Sequence, residues 1–228
     1  FKGTAGASAL ASAIGAALVS LGHEVEVFPM ADGGEGFLEA LGGANRTTTV
    51  TGPLGKSVEA GWRLAKGTAV IEMATLCGIT TVAQLDPLGA HSYGLGQAIK
   101  AALADERVNE ILIAVGGSAS TDAGMGALTA LGFKALDADG RELARGGGDL
   151  HRLAHVETPA NHRNLPRGIK VLVDVQSPLT GPNGAAHIFG PQKGADVDQV
   201  RLLNEGLLQF LKVLYVEDRA GFGAAGGV

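Results

Sequence analysis

The stretch "NEILIAVGGSASTDAGMGALTALG", residues 109–132, decides the fold class. It begins with a run rich in Ile, Leu and Val, which is typical of a buried strand. A polar loop with glycines follows, and the segment from Met125 onward has the apolar spacing of a helix. A strand that leads through a loop into a helix is the repeating unit of α/β proteins. We therefore expect an α/β fold with a mainly parallel sheet.

The rest of the chain alternates between the same two periods. Helical patterns cover residues 4–22, 34–43, 93–105 and 196–215, and strand patterns cover residues 23–30, 68–74 and 169–175. Two alternating runs on either side of "GPLG", residues 52–55, predict an antiparallel hairpin. A second turn is predicted at Asp139 and Gly140, and Asp196 is the predicted N-cap of the last helix. The hairpins indicate that one portion of the sheet is mixed.

We expect two lobes, because the composition changes at "LGGANRTTTVTG", residues 41–52. Residues 1–44 are then the first part of one α/β domain, and residues 45–228 form a second α/β domain whose C-terminal boundary is open. The sequence starts at Phe1 rather than Met and stops in a glycine-rich run. We therefore expect a protein truncated at both ends, with internal joins.

The composition excludes several classes of protein. With 46% hydrophobic and 18% charged residues, the chain is too apolar for a disordered protein. Its net charge of -5 gives no electrostatic footprint for nucleic acid, and no apolar run has the length of about 18 residues that predicts a membrane span. Cys77 is the only cysteine, which excludes an intramolecular disulfide and makes the cytoplasm the default compartment.

Two glycine loops follow predicted strands and carry polar side chains. The first loop is "MADGGEG", residues 30–36, where Asp32 and Glu35 could hold a metal ion or take a proton from a hydroxyl; the alternative is a helix cap. The second loop is "VGGSASTDAGMG", residues 115–126, whose glycines, hydroxyls and helix N-terminus suit an anion. Asp122 would weaken that attraction unless it binds Mg²⁺ or caps the helix.

The third loop is "DVQSPLTGPNGAAHIFGPQKGA", residues 174–195. Asp174 ends a strand, and Lys193 supplies one positive charge. The glycines predict backbone N–H groups that are open to phosphate oxygens, namely those of Gly181, Gly184, Gly190 and Gly194. A rigid surface connection is the alternative, but the length of the loop favours a binding function. A fourth loop, "GFGAAGG" at residues 221–227, is a further candidate phosphate cradle.

Six strings of the sequence occur together in one order. They are "FKG" at residues 1–3, "PMADGGEG" at 29–36, "VTGPLG" at 50–55, "VIEMA" at 70–74, "GGSASTDAG" at 116–124 and "SPLTGPNGAAHIFGPQKGA" at 177–195. Together these strings resemble the bacterial type I glycerate kinase family. The resemblance implies a two-lobed kinase with one Rossmann-like or flavodoxin-like parallel-sheet domain and one mixed α/β swivelling-type domain. It also implies phosphorylation of D-glycerate, mostly at the 2-hydroxyl, with ATP and Mg²⁺.

Roles for individual residues follow from the loops and from this resemblance. We expect Asp174 to be the base for the attacking hydroxyl, with Lys193 and Asp32 as the other catalytic residues, and Asp122 to be a Mg²⁺ ligand. The residues expected to bind substrate or phosphate are Lys2, Gly33, Gly34, Glu35, Gly117, Ser118, Asn183, Gly184 and Gly194. The alternative function is a catalytically silent sensor of a hydroxyacid. Glycerate and ATP are the expected partners, and a homodimer is left open.

Overall fold

The computed structural model describes residues 5–31, 33–160 and 164–228. Its helices are α1 (Ala7–Ser20), α2 (Phe37–Ala40), α3 (Met73–Cys77), α4 (Tyr93–Ala104), α5 (Met125–Ala130), α6 (Ala185–Phe189) and α7 (Val197–Leu214). Its strands are β1 (Arg46–Thr51), β2 (Ser57–Ala65), β3 (Thr68–Glu72), β4 (Glu110–Ala114), β5 (Lys134–Leu136), β6 (His155–Glu157) and β7 (Ile169–Leu172). Strands and helices alternate, so the expected α/β class is confirmed.

The central sheet has the strand order β1-β2-β3-β4-β7. The β1–β2 and β2–β3 pairs are antiparallel, and the β3–β4 and β4–β7 pairs are parallel. In the parallel part, Glu72 is opposite Ala114, and Ala114 is opposite Leu172. The three strands therefore end in one row, and the chain leaves all three at the same edge. The antiparallel hairpin predicted around residues 52–55 is confirmed by the β1–β2 pair.

The short strands β5 and β6 form a separate antiparallel pair. The predicted turn at Asp139 and Gly140 follows β5, where the Asp137 N–H donates to the carbonyl of Arg141 over 2.9 Å. Asp137 also accepts hydrogen bonds from the N–H groups of Asp139 and Arg141, which close this turn.

Within the described residues, two groups of buried side chains make up the core. One lies against the central sheet and includes Ile71, Leu95 and Ile111, each with 1% of its surface exposed or less. The other is formed by α6, α7 and their neighbours and includes Leu203 and Leu207. The helix α7 presents an apolar face to this second group, and its first turn is closed by a capping box between Asp196 and Gln199, as the sequence predicts for Asp196.

One predicted strand is wrong, and two others are shorter than expected. Residues 23–30 alternate in hydrophobicity but are assigned to no strand, because no strand of the described residues pairs with them. Val25 and Val27 instead lie beside Gly15 of α1, so the apolar side of the pattern contacts a helix. The strand predicted over residues 68–74 ends at Glu72, where α3 begins, and that over 169–175 ends at Leu172.

Cys77, at the end of α3, is fully buried in the core against the central sheet. Burial raises the pKa of its thiol to about 12. Within the described part of the chain, none of the helices has both the length and the apolar character that crossing a bilayer requires.

Candidate active site

The candidate site lies at the edge of the sheet where β3, β4 and β7 end. Ligands of open α/β sheets bind at the carboxyl ends of parallel strands, because the loops that leave those ends face a common crevice. Here the loops after Ala114 and Leu172 are the predicted second and third loops. The first loop reaches the same edge although it follows no strand.

The first and second loops are in direct contact. The N–H of Gly116 donates to the carbonyl oxygen of Gly33 over 3.0 Å. A Cβ atom on Gly116 would lie 2.6 Å from the Cα of Gly34, which is closer than carbon atoms approach in proteins. Glycine at position 116 is therefore required by the approach of the two loops. Glu35, the next residue of the first loop, is exposed.

The second and third loops are joined by Lys193. Its ammonium donates to the Ser118 hydroxyl over 3.0 Å, to the carbonyl of Ser120, and at 3.4 Å to the hydroxyl of Thr121. Lys193 is only 3% exposed, and burial lowers the pKa of its amine to about 8, although the charge of Asp122 acts in the opposite direction. A phosphate can therefore contact this ammonium only after one of the loops moves. Without such a movement, the ammonium attracts an anion at the Ser118 hydroxyl from behind that residue.

Gly117 presents an open backbone donor next to this lysine. It is exposed and has a φ of 76°. Its N–H has no acceptor within the described residues, whereas the neighbouring N–H of Gly116 is bound to Gly33. The Gly117 N–H and the Ser118 hydroxyl are thus the groups of the second loop that an anion could use, with the Lys193 charge behind them.

Asp122 is fully buried, and its carboxylate is surrounded by donors. One oxygen accepts from the N–H and the hydroxyl of Ser92, both at 2.8 Å, and from the N–H of Gly126 at 3.1 Å. The other oxygen accepts from the N–H of Gly124 at 3.3 Å. These contacts agree with the capping alternative, because they tie the starts of α4 and α5 together. A metal ion would have to replace several of these donors, so the expected Mg²⁺ ligation by Asp122 stays a prediction.

The described part of the chain contains no group of three His, Cys, Asp or Glu side chains that could hold a metal ion. Mg²⁺ in phosphate-transfer sites is often held by only one or two carboxylates together with substrate phosphates and water. A site of that kind does not require a cluster of three. Asp32 and Lys2, which we expect in the site, lie outside the described residues, so their predicted roles are neither supported nor opposed by the structure.

The third loop differs from the prediction in its backbone amides. We expected four glycine N–H groups to be open to phosphate, but each has an acceptor within the protein, so this expectation is wrong. The acceptors of Gly181, Gly184, Gly190 and Gly194 are Asn204 Oδ1 and the carbonyls of Gly181, Ala186 and Pro191, respectively. The loop folds into short turns and the helix α6, whose own hydrogen bonds use the amides.

Other predicted residues of the third loop are spread along it. Asp174 is exposed and lies two residues beyond Leu172, which lies beside Gly33 of the first loop. Asn183 is exposed, and Gly184 is the N-cap of α6. Neither residue is hydrogen-bonded to the first or second loop within the described part of the protein. Gly194 is exposed and directly follows Lys193 with a φ of 91°.

The fourth loop packs behind the second. The N–H of Ala123 donates to the carbonyl of Gly226 over 3.0 Å. The amides of Gly221 and Gly223 both donate to the Ser177 carbonyl, so they are also in use. A cavity of about 500 Å³ lies beside this loop and the edge strand β7. Its walls are mostly apolar and include Val171, Val173, Leu179, Phe210 and Phe222.

Sequence reasoning missed two acidic residues that position the loops. Glu72, at the end of β3, is 2% exposed and accepts from the N–H groups of Gly36 and Leu38 at 3.0 and 2.8 Å. Asp218 accepts from the N–H groups of Leu179 and Thr180 at 2.8 and 2.9 Å, near the start of the third loop. The signal for Glu72 is visible in the sequence, because it is an acid at the end of an apolar strand, as Asp174 is. Asp218 follows α7 and has no such signal.

The fold and the site define an α/β protein whose glycine loops meet at the carboxyl edge of a parallel sheet. The model of the glycerate kinase family matches residues 1–228. The chain is 42% identical over 215 residues to the glycerate 2-kinase of Escherichia coli K12, covering 88% of this chain and 56% of the relative. It is 39% identical over 223 residues to the glycerate kinase of Bacillus subtilis 168, covering 91% and 58%.

A solved structure shows the same fold. The crystal structure of a protein described as glycerate kinase 2 from Salmonella typhimurium LT2 superimposes with a TM-score of 0.83 at 39% identity, over 97% of this chain and 64% of that one. The chain thus spans less than two thirds of the length of these relatives. This chain belongs to the glycerate kinase family.

Proposed function

We propose that the protein is a glycerate kinase that transfers the γ-phosphoryl group of ATP to the 2-hydroxyl of D-glycerate. The observation that carries this proposal is the meeting of three loops at one sheet edge, through the Gly116–Gly33 and Lys193–Ser118 hydrogen bonds. The family membership and the names of the relatives support the same activity. The assignment to the type I branch, the cytoplasmic location and a homodimer stay predictions.

The proposed reaction uses the residues of the site in separate roles. The 2-hydroxyl oxygen forms a bond to the γ-phosphorus, the bond from that phosphorus to the bridging oxygen of ADP breaks, and the hydroxyl proton passes to the carboxylate of Asp174. The Gly117 N–H, the Ser118 hydroxyl and the Lys193 charge stabilise the phosphoryl oxygens. Asp32 and Lys2 orient the substrate carboxylate and hydroxyl. Mg²⁺, when bound, neutralises phosphate charge, and Asp122 is its proposed ligand.

We also propose that the remaining loop residues bind the substrate or the phosphate. Gly33, Gly34 and Glu35 border the substrate from the first loop, which is held against the second. Gly194 borders the substrate next to Lys193, and Asn183 and Gly184 line the far end of the third loop. The division into parts of two lobes near residue 44 is also retained as a proposal, with the substrate bound between the lobes.

The experiment that tests the function is a product assay. The full-length protein is incubated with D-glycerate and Mg-ATP, and 2-phosphoglycerate is separated from 3-phosphoglycerate by chromatography or phosphorus NMR. The expected result is ADP and 2-phosphoglycerate in equal amounts. Formation of 3-phosphoglycerate would show that the 3-hydroxyl, and not the 2-hydroxyl, is phosphorylated. Binding of glycerate without ADP formation would favour the silent sensor.

A further inference from the structure

Glu72 is a buried carboxylate with two backbone partners. It is 2% exposed and ends β3 in the same row as Ala114 and Leu172. One of its oxygens accepts from the Gly36 N–H over 3.0 Å, and the other accepts from the Leu38 N–H over 2.8 Å. The first N–H groups of a helix have no acceptor within the helix, and a buried carboxylate needs donors. The Glu72 carboxylate and the two N–H groups therefore supply each other's hydrogen-bond partners.

This contact fixes one end of the first loop. The middle of the loop is fixed by the hydrogen bond from the Gly116 N–H to the carbonyl of Gly33. The two anchors come from neighbouring strands, since Glu72 ends β3 and Gly116 follows β4. Glu35 lies between the anchors. The position of the loop relative to Gly117 and Ser118 thus depends on the Glu72 side chain.

The contact holds the start of a very short helix. The helix α2, which begins at these amides, contains only four residues and buries only Leu38. A helix that short has little stability of its own, so its geometry is set by tertiary contacts. We infer that Glu72 is a positioning residue of the proposed phosphoryl transfer, which holds the first loop in register with the phosphate-binding groups of the second. This inference rests on the proposed function.

The test is the isosteric variant Glu72→Gln in the full-length protein. The glutamine keeps the shape of the side chain but presents an NH₂ group to one of the two N–H donors. We expect kcat/KM for glycerate to fall at least about tenfold. We expect the KM for ATP to change less than twofold, because the inferred contact acts on the acceptor side. Glu72→Asp, which keeps the charge but is one methylene shorter, is expected to lose activity in the same direction.

Glu110→Gln is the matched control. Glu110 is 5% exposed and lies at the opposite end of the neighbouring strand β4, where Lys170 and Arg167 pair with it. Its variant also removes a buried carboxylate from the sheet, but far along the strands from the loops. We expect it to lower the thermal unfolding midpoint at least as much as Glu72→Gln does, with kcat/KM within twofold of the wild type.

Hydrogen exchange provides a readout that does not depend on activity. We expect the amides of residues 33–38 to exchange faster in Glu72→Gln than in the wild type, and at the wild-type rate in Glu110→Gln. Unchanged exchange in Glu72→Gln, or faster exchange with wild-type kinetics, would overturn the inference. An equal kinetic loss in Glu110→Gln would also overturn it, by showing a general effect of stability. A wild-type protein that forms no phosphoglycerate overturns the proposed function, and the positioning role with it.

Discussion

Gly116 and Gly33 are joined by a 3.0 Å hydrogen bond between two loops that are far apart in the sequence. The contact exists because neither loop carries a side chain where the two backbones meet. It places the first loop against Gly116, which directly precedes Gly117 and Ser118 of the second loop. A backbone contact, and not a ligand, therefore holds these two loops of the candidate site together.

Replacement of Gly116 by alanine should separate these loops. The added Cβ would lie 2.6 Å from the Cα of Gly34, so the backbone must shift. We expect a destabilisation of about 1–3 kcal/mol, the usual range for overpacking, and a loss of kcat/KM of at least about tenfold. Urea unfolding and steady-state kinetics measure the two effects. Gly6→Ala, whose Cβ would meet only the Glu39 carboxylate at 3.7 Å, is the control for activity and should leave kcat/KM close to the wild type, although it also replaces the N-cap of α1.

Lys193→Ala should reduce kcat/KM at least about tenfold, which corresponds to about 1.4 kcal/mol of transition-state stabilisation. The reason is that the variant removes the positive charge beneath Ser118. Steady-state kinetics with glycerate and ATP measure the effect. Lys212→Ala, which removes an exposed lysine near the end of α7, is the control. Wild-type turnover in Lys193→Ala would show that this ammonium only supports the local fold.

The pH dependence of stability should also report on Lys193. Burial lowers the pKa of its amine from 10.5 to about 8, so between these values the unfolded chain binds more protons than the folded protein. The lysine therefore raises the free energy of unfolding as the pH rises through this window, and it opposes folding at lower pH, where it is charged in both states. If the ammonium is needed for catalysis, kcat/KM should fall over the same range.

Urea unfolding of the wild type and Lys193→Met at several pH values between about 7 and 10 measures this effect. Methionine keeps an unbranched apolar stem without the titrating group. We expect the free energy of unfolding to rise more steeply with pH in the wild type than in the variant. Parallel pH profiles would contradict a lowered pKa at this position.

Asp174→Asn tests the proposed base. Asp174 is exposed and lies two residues beyond the end of β7, so removal of its charge should leave the fold intact. General-base catalysis contributes about 10²–10⁴ in rate, and we expect kcat to fall by at least about 10²-fold. Single-turnover kinetics separate the chemical step from product release. Asp139→Asn, in the exposed turn after β5, is the control. An unchanged kcat in a folded Asp174→Asn protein would exclude it as the base.

Much of the fold could be predicted from local patterns. The run over residues 109–114 has no polar interruption after Glu110, and Asp196 is the N-cap of α7, as predicted. The pattern failed at residues 23–30, because alternation shows which side of a segment is apolar but not which element that side contacts. There the apolar side contacts α1 through Val25 and Val27 instead of pairing in a sheet.

The candidate site was predicted in part. Lys193, predicted as a catalytic residue of the third loop, contacts the second loop, because both loops leave parallel strands at one edge of the sheet. The state of the third-loop amides could not be read from the sequence. Glycine allows an open N–H but equally allows the tight turns in which Gly184 and Gly194 donate to nearby carbonyls. Glu72 was missed because the predicted strand continued to residue 74 and placed this acid inside it, although β3 ends at Glu72.

Because Cys77 is buried, alkylation of its thiol reports unfolding of the protein. A thiol with a pKa of about 12 is almost entirely protonated near neutral pH, and alkylating reagents react with the thiolate. This is the only cysteine of the sequence, so each molecule that opens gains one adduct. Mass spectrometry after timed exposure to iodoacetamide therefore measures the fraction of molecules that have opened. The rate at which that single adduct appears measures how often the core opens, without any introduced label.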